Sequence, residues 1–263
     1  MSSQRSDQAP PELNVQVREF WEEEPCGTGE EIVGELPAQT REWFEQIEEH
    51  RYRVEPFIHS VAQFTRYHGK KVLEVGVGAG TDHLQWARAG ADLYGVDLTD
   101  AAIETTRRRL EMYGFKSELR RVDAEVLPFP DATFDVVYSW GVIHHSAHPE
   151  RILAEIRRVL KPGGKLIAML YGRHSPLAVK LWVRHALLKG RPWRSLANVV
   201  WHHMESIGTK AYTPSELRSL LSMFSSVEIE PLITTYDTAM IPRFISRYFP
   251  QSWGWFIAVR ARR

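Results

Sequence analysis

Val72-Leu-Glu-Val-Gly-Val-Gly-Ala-Gly-Thr-Asp82 is the stretch on which the fold turns. An apolar run ends in three alternating glycines, Gly76, Gly78 and Gly80, and a helical segment follows. Glycines let the backbone turn sharply and come close to a ligand, and the helix start behind them offers free N–H groups. The spacing discriminates between ligands. A dinucleotide fingerprint needs Gly or Ala five residues after its first Gly, and here that position is Thr81. Glu74, two residues ahead of Gly76, would repel a pyrophosphate. A carboxylate there suits a cationic group, such as an ammonium.

Outward from this loop, strand and helix signals alternate. Lys71–Val75, Asp92–Val96, Ser117–Val122, Phe134–Ser139 and Lys165–Leu170 read as five strands. Thr99 or Asp100 caps a helix running to about Tyr113, where Gly114 suits the left-handed C′ position. Pro149 opens another helix, with Ile152, Leu153, Ile156, Val159 and Leu160 on one face, and Lys161-Pro-Gly-Gly ends it. This alternation predicts an α/β fold of βαβ units on a parallel sheet, with residues 69–171 as its core. Residues 11–68 read as a glutamate-rich helical lid, 172–212 as a basic helical cap inserted after strand five, and 1–10 as a disordered leader. Residues 213–263 supply a helix (Pro214–Phe224) and two strands (Val227–Leu232 and Gly254–Arg260).

Two carboxylates stand where a nucleoside would need them. Asp97 closes the second strand, where it can accept both ribose hydroxyls. Asp123 ends the third, where it can bond an adenine amino group. The ordered set Glu74-x-Gly-x-Gly-x-Gly80, Asp97, Asp123-Ala-Glu-x-Leu-Pro-Phe-Pro-Asp-x-Thr-Phe-Asp135, Val142-Ile-His-His145 and Val159-Leu-Lys-Pro-Gly-Gly164 resembles the type 11 class I methyltransferases. The resemblance covers about Arg51 to Arg173. Phe20-Trp-x-x-x-Pro-Cys-Gly27 and Met169-Leu-Tyr-x-Arg-His-Ser175 resemble a bacterial subgroup of that family.

The resemblance implies a Rossmann-like class I sheet, mostly parallel with its last strand antiparallel. It implies methyl transfer from S-adenosyl-L-methionine, leaving S-adenosyl-L-homocysteine. Glu74, Gly76, Gly78, Gly80 and Thr81 would line the methionine and ribose, Asp97 and Leu98 the ribose, and Asp123 with Ala124 the adenine. Trp140, just past strand four, reads as a wall of the cofactor pocket, and Tyr52 as a contact reaching back from the lid. Ligands of open α/β sheets bind beyond the carboxyl ends of the strands. His144 and His145 land there, and a histidine can take a proton from an attacking hydroxyl or amine. His145 is the leading candidate base, ahead of His144 and His148. No metal site is expected.

Composition narrows the function classes. Across 263 residues, Lys+Arg and Asp+Glu number 33 each, a neutrality unlike a dedicated nucleic-acid binder. Cys26 is the single cysteine, so an intrachain disulfide is excluded and a cytoplasmic enzyme is expected. No apolar run nears the roughly 18 residues of a membrane span. The charges are segregated: residues 12–55 hold thirteen Glu and four Arg, whereas 157–204 hold ten Lys or Arg and no acid. Lys180, Arg184 and Lys189 in the cap are expected to face the glutamate-rich segment. The alternative is a basic cover over an anionic or lipid-like acceptor. A small-molecule O-, N- or C-methyltransferase, with a secondary metabolite among its candidate substrates, is the leading expectation. A peptide or RNA methyltransferase and a non-catalytic S-adenosylmethionine-binding protein are the alternatives.

Overall fold

The computed structural model describes residues 13–239 and 248–263; the expected leader, residues 1–10, lies outside them. Four helices precede the sheet: α1 (Leu13–Glu23), α2 (Glu30–Val33), α3 (Arg41–Val54) and α4 (Ile58–Ala62). The core then alternates. Strand β1 (Lys71–Val75) leads into α5 (Thr81–Arg88), β2 (Asp92–Asp97) into α6 (Asp100–Met112), and β3 (Glu118–Arg121) follows. Beyond β4 (Phe134–Trp140) come α7 (Pro149–Val159) and β5 (Leu160–Gly172). The cap holds α8 (Pro176–His185) and α9 (Leu196–His203). The chain returns through β6 (Ala211–Tyr212), α10 (Pro214–Leu220), β7 (Ser226–Leu232), α11 (Thr235–Thr238) and β8 (Phe256–Arg262).

The strand order is β3-β2-β1-β4-β5-β8-β7, with β6 on a side path beside β5. Strands β1 to β5 pair in parallel, and β8 runs antiparallel to both β5 and β7. This is the expected doubly wound sheet with an antiparallel last strand. Apolar layers cover both faces: Trp86, Tyr138 and Ile58 on one, Leu73, Leu153 and Phe134 on the other. Thr99 caps α6 by accepting from the Ala102 N–H, as its place before the apolar run predicts.

Local differences have local causes. Lys161-Pro-Gly-Gly does not merely terminate α7, which ends at Val159. It is the bulged start of β5, where Leu160 pairs with Phe134 before the register shifts to Val136 and Lys165. Strand β3 is shorter than expected, and α9 and β6 were not foreseen. The glutamates of α3 also find other partners than the cap. Glu48 pairs with Arg88 and with the buried Arg109, which binds the Phe44 and Ala79 carbonyls as well. Glu22 accepts from the Asp100 and Ala101 N–H groups at the start of α6. Among the described residues, no ion pair joins Lys180, Arg184 or Lys189 to that segment. Among the described residues, these polar contacts tie the helices of residues 13–62 to α5 and α6.

Candidate functional site

A cavity of about 650 Å³ runs along the carboxyl ends of β1, β2, β4 and β5. Val17, Trp21, Cys26, Arg51 and Glu55 close it from the N-terminal side, and Leu177, Met204 and Glu205 from the cap. Strand twist and the parallel order bring these ends together, as the switch-point rule anticipates.

One end carries the glycine loop and the strand-end acids. Gly76 has a φ of +83°, and a Cβ there would meet Val142 at 2.1 Å. Gly78 has a φ of +51° and open space where a Cβ would stand. The Gly78 N–H donates to Asp97 Oδ2 at 3.1 Å, while Thr99 N–H and Oγ1 donate to Oδ1 at 3.0 and 2.9 Å. Burial raises the Asp97 carboxyl against these donors. Asp123 accepts from the Glu125 N–H at 3.0 Å and from Asn14 Nδ2 of α1 at 2.9 Å, and stays exposed. Thr81, Leu98 and Ala124 line the same end. Gly80 does not; its Cβ position faces Thr106 behind the wall.

Glu74 lines the cavity but is held by the protein. It is 3% exposed and lies 2.9 Å from His83 Nδ1, whose Nε2 meets Ser117 Oγ at 2.9 Å. Burial pushes Glu74 well up and His83 down to about 3. Burial thus disfavours charge on both partners of this pair.

Tyr52 differs from expectation. It is not part of the cavity wall; its hydroxyl donates to Asp82 Oδ1 at 2.9 Å. Arg51 lines the cavity in its place and binds Asp82 through two bonds of 3.1 and 2.7 Å. Tyr138 donates to Asp82 Oδ2 at 2.7 Å. Asp82 was missed, although an acid in the first turn behind a glycine loop is a visible signal.

The other end is aromatic and acidic. Trp140, Tyr171, Tyr236, Trp255 and Phe256 form its walls. Trp140 Nε1 donates to Glu55 Oε2 at 2.8 Å, and burial raises Glu55. Glu205 accepts from the Tyr171 hydroxyl at 3.2 and 3.0 Å and lies 3.5 Å from His145 Nε2. Burial pushes Glu205 up to about 7, opposed by the Tyr171 bond and reinforced by Glu55. His145 Nδ1 is within 2.9 Å of Ser206 Oγ and 3.1 Å of Thr209 Oγ1, and burial with nearby Lys210 lowers it to about 3. His144 is absent from the wall: it is fully buried against the Tyr171 ring at 3.9 Å. One histidine of the pair therefore faces the cavity and the other packs. Glu205 escaped the sequence reading, although it is the first acid after the acid-free run 157–204.

Among the described residues lining the cavity, nine are carboxylates: Glu23, Glu24, Glu31, Glu55, Glu74, Asp82, Asp97, Asp123 and Glu205. Among the same described residues Arg51 alone supplies a Lys or Arg charge, and Asp82 holds it.

Residues 73–168 match the family model of a methyltransferase domain. The ubiquinone/menaquinone biosynthesis C-methyltransferase of Bordetella avium is 41% identical over 114 residues, 42% of this chain and 44% of that one. The phosphatidylethanolamine N-methyltransferase of Cereibacter sphaeroides is 36% identical over 101 residues, 38% of this chain and 49% of that one. The chain thus spans less than half the length of these relatives. An S-adenosylmethionine-dependent methyltransferase of Mesorhizobium loti shares the fold, with a TM-score of 0.58 at 18% identity over 79% of this chain and 97% of that one. The segment of residues 73–168 belongs to the class I S-adenosylmethionine-dependent methyltransferases.

Proposed function

We propose that this chain transfers a methyl group from S-adenosylmethionine to a nitrogen or oxygen of a small molecule that carries no negative charge. The observation that carries the reading is the acidity of the cavity: among the described lining residues nine carboxyl groups stand against the one guanidinium of Arg51, and the lining stays acidic even though burial disfavours charge on Glu74. A cofactor with a sulfonium and an ammonium fits that lining; a pyrophosphate does not. The donor set fits the rest of the cofactor. Asp97 would hold the ribose, Gly76 and Gly78 would let the methionine portion approach the backbone, and Leu98, Asp123 and Ala124 would flank the adenine. Bound there, S-adenosylmethionine supplies an electrophilic methyl group.

The acceptor would lie between Trp140, Tyr171 and Glu205. An anionic acceptor, one of the options left by the sequence, conflicts with Glu55 and Glu205 and is set aside. An amine fits best, since aromatic faces and a carboxylate together attract a cation or a developing one. Glu205 is the better proton acceptor. Its carboxyl titrates near neutrality, where a general base works best, whereas His145 is a weak base with one ring nitrogen engaged. His145 would orient Glu205 across the 3.5 Å gap. A cavity of about 650 Å³ that must also hold the cofactor supports a small molecule over a peptide or RNA.

Calorimetric titration with S-adenosylmethionine, S-adenosylhomocysteine and NAD tests the cofactor. Binding of the first two alone is expected, and tighter NAD binding overturns the reading. Methyl transfer to a panel of amines, phenols and carboxylates then tests the acceptor, with carboxylates expected to be inert.

A further inference from the structure

We propose that the tip of the cap, Leu187 to Arg194, docks the protein onto the surface of an anionic lipid bilayer. Every residue from Leu187 to Trp193 is exposed. Leu188 is 74% exposed and Trp193 77%, a state that isolated soluble surfaces avoid when such side chains cluster. Lys189 and Arg191 lie between them, and Lys180 and Arg184 are exposed on α8 below. None of these four cations forms an ion pair among the described residues, and the run 157–204 contains no acid. Apolar side chains with Trp at the water boundary, interleaved with unpaired cations, are what an anionic interface selects.

The tip is built to present these side chains. Trp182 Nε1 donates to the Arg194 carbonyl at 2.6 Å, and the Arg191 N–H to the Ala186 carbonyl at 2.8 Å. Gly190 turns the chain with a φ of +67°. Leu188 and Trp193 therefore face outward from an anchored loop. Among the described residues no helix is long and apolar enough to cross a bilayer, so the contact is with the surface. The cap also reaches the cavity: Leu177 near the start of α8 and Met204 at the end of α9 line it. The tip stands about 15 Å away, given ten residues of α8 at about 1.5 Å each.

Charge complementarity selects lipid over a second copy of the chain, because two such tips would repel. RNA matches the charge but gives no reason for exposed Leu188.

The test is cosedimentation of the full chain with vesicles of phosphatidylcholine, alone or with about one third phosphatidylglycerol. The variants are Leu188→Ser/Trp193→Ser and Lys189→Glu/Arg191→Glu. The expected result is binding to the anionic vesicles only, weakened at least tenfold by either double variant and by 0.5 M salt. Cofactor affinity of both variants should equal the parent's, which shows that they fold. Failure to pellet, or equal pelleting by the Leu188→Ser/Trp193→Ser variant, overturns the proposal. So does a Trp193-dependent dimer, or salt-sensitive binding to a single-stranded RNA oligomer that survives the serine variant. None of these readouts depends on methyl transfer, so the docking surface and the catalytic reading fail separately.

Discussion

The Arg51 guanidinium clasps the Asp82 carboxylate side by side, Nε to Oδ1 at 3.1 Å and Nη2 to Oδ2 at 2.7 Å. One partner belongs to α3 and the other to α5, so this clasp joins the N-terminal helices to the glycine loop. Burial alone would raise the Asp82 carboxyl, but the Arg51 charge and the bonds from Arg51, Tyr138 and Tyr52 hold it below its ordinary range. Its stabilising effect is therefore complete above the unfolded carboxyl pKa and is lost as pH falls through the folded one.

Asp82→Asn should destabilise the chain by about 2–4 kcal/mol. Breaking a buried pair typically costs about 3–5 kcal/mol, and the partial exposure of Arg51 lowers that figure. Urea denaturation at pH 7 measures it. A loss below about 1 kcal/mol would show that the clasp is dispensable.

Asp97→Ala should weaken S-adenosylmethionine binding by about 1–3 kcal/mol, because ribose hydroxyls lose a charged acceptor. It should also lower stability modestly, since the Gly78 and Thr99 N–H groups lose theirs. Calorimetry separates the two effects. Unchanged affinity would remove Asp97 from the site.

These two carboxylates also mark how far the sequence could be read. Asp97 was legible because a strand end on a parallel sheet has one destination, the ligand crevice. Strands β1 and β4 were legible for a related reason: apolar runs closed by glycine, Gly76 and Gly141, have few other uses. Asp82 needed its partner Arg51, 31 residues away, before its role made sense. Glu205 depended on how the turn after α9 meets Tyr171 of β5, which no local pattern encodes. Strand β6 is two residues long and carries no periodicity. The choice between His144 and His145 depended on the short helical turn Ile143–His145, which sends neighbouring side chains in different directions.

Glu205→Gln should reduce turnover by about 10²–10⁴ if Glu205 takes the proton, whereas His145→Ala should cost less than tenfold. The parent's kcat/KM should rise with pH through about 7 as the carboxylate ionises, and Glu205→Gln should lose that limb. The linkage runs the same way. A carboxyl raised in the folded state stabilises below its unfolded pKa, and that stability is lost as pH rises through the folded value. Glu205→Gln should therefore melt higher than the parent at pH 8. A pH profile unchanged by Glu205→Gln would return the proton to another group.

His144→Leu should stabilise the protein by about 1 kcal/mol at pH 7.5. Both ring nitrogens of His144 are buried with no hydrogen-bond partner among the described residues, and an apolar side chain of similar shape removes that penalty. Burial, with His145 and Lys210 adding, pushes His144 well below the ordinary histidine range. A lowered folded pKa gives stability that is present above the unfolded value and lost as pH falls below it. The advantage of the variant should grow as pH falls from 6.5 to 5. Chemical denaturation at the two pH values checks both parts, and a destabilised variant would show that His144 has a partner.

Reversing Lys180, Arg184 and Lys189 to Glu decides what the cap's charge is for. The sequence pits ten cations in residues 157–204 against an excess of nine negative charges in 12–55, thirteen Glu less four Arg. If those surfaces held each other, reversal would loosen the N-terminal helices and cofactor affinity would fall. The structure assigns the partners differently. Glu48 is held by Arg88 and Arg109, Glu22 by the start of α6, and Glu55 by Trp140. The three cap cations point to solvent, and charges beyond a Debye length of about 8 Å are largely screened at physiological salt. The triple variant should accordingly bind S-adenosylmethionine within twofold of the parent at 0.15 M salt, and its melting temperature should shift by no more than a few degrees. A tenfold loss of cofactor affinity, relieved by restoring any one of the three cations, would reinstate electrostatic docking of the cap against the N-terminal helices.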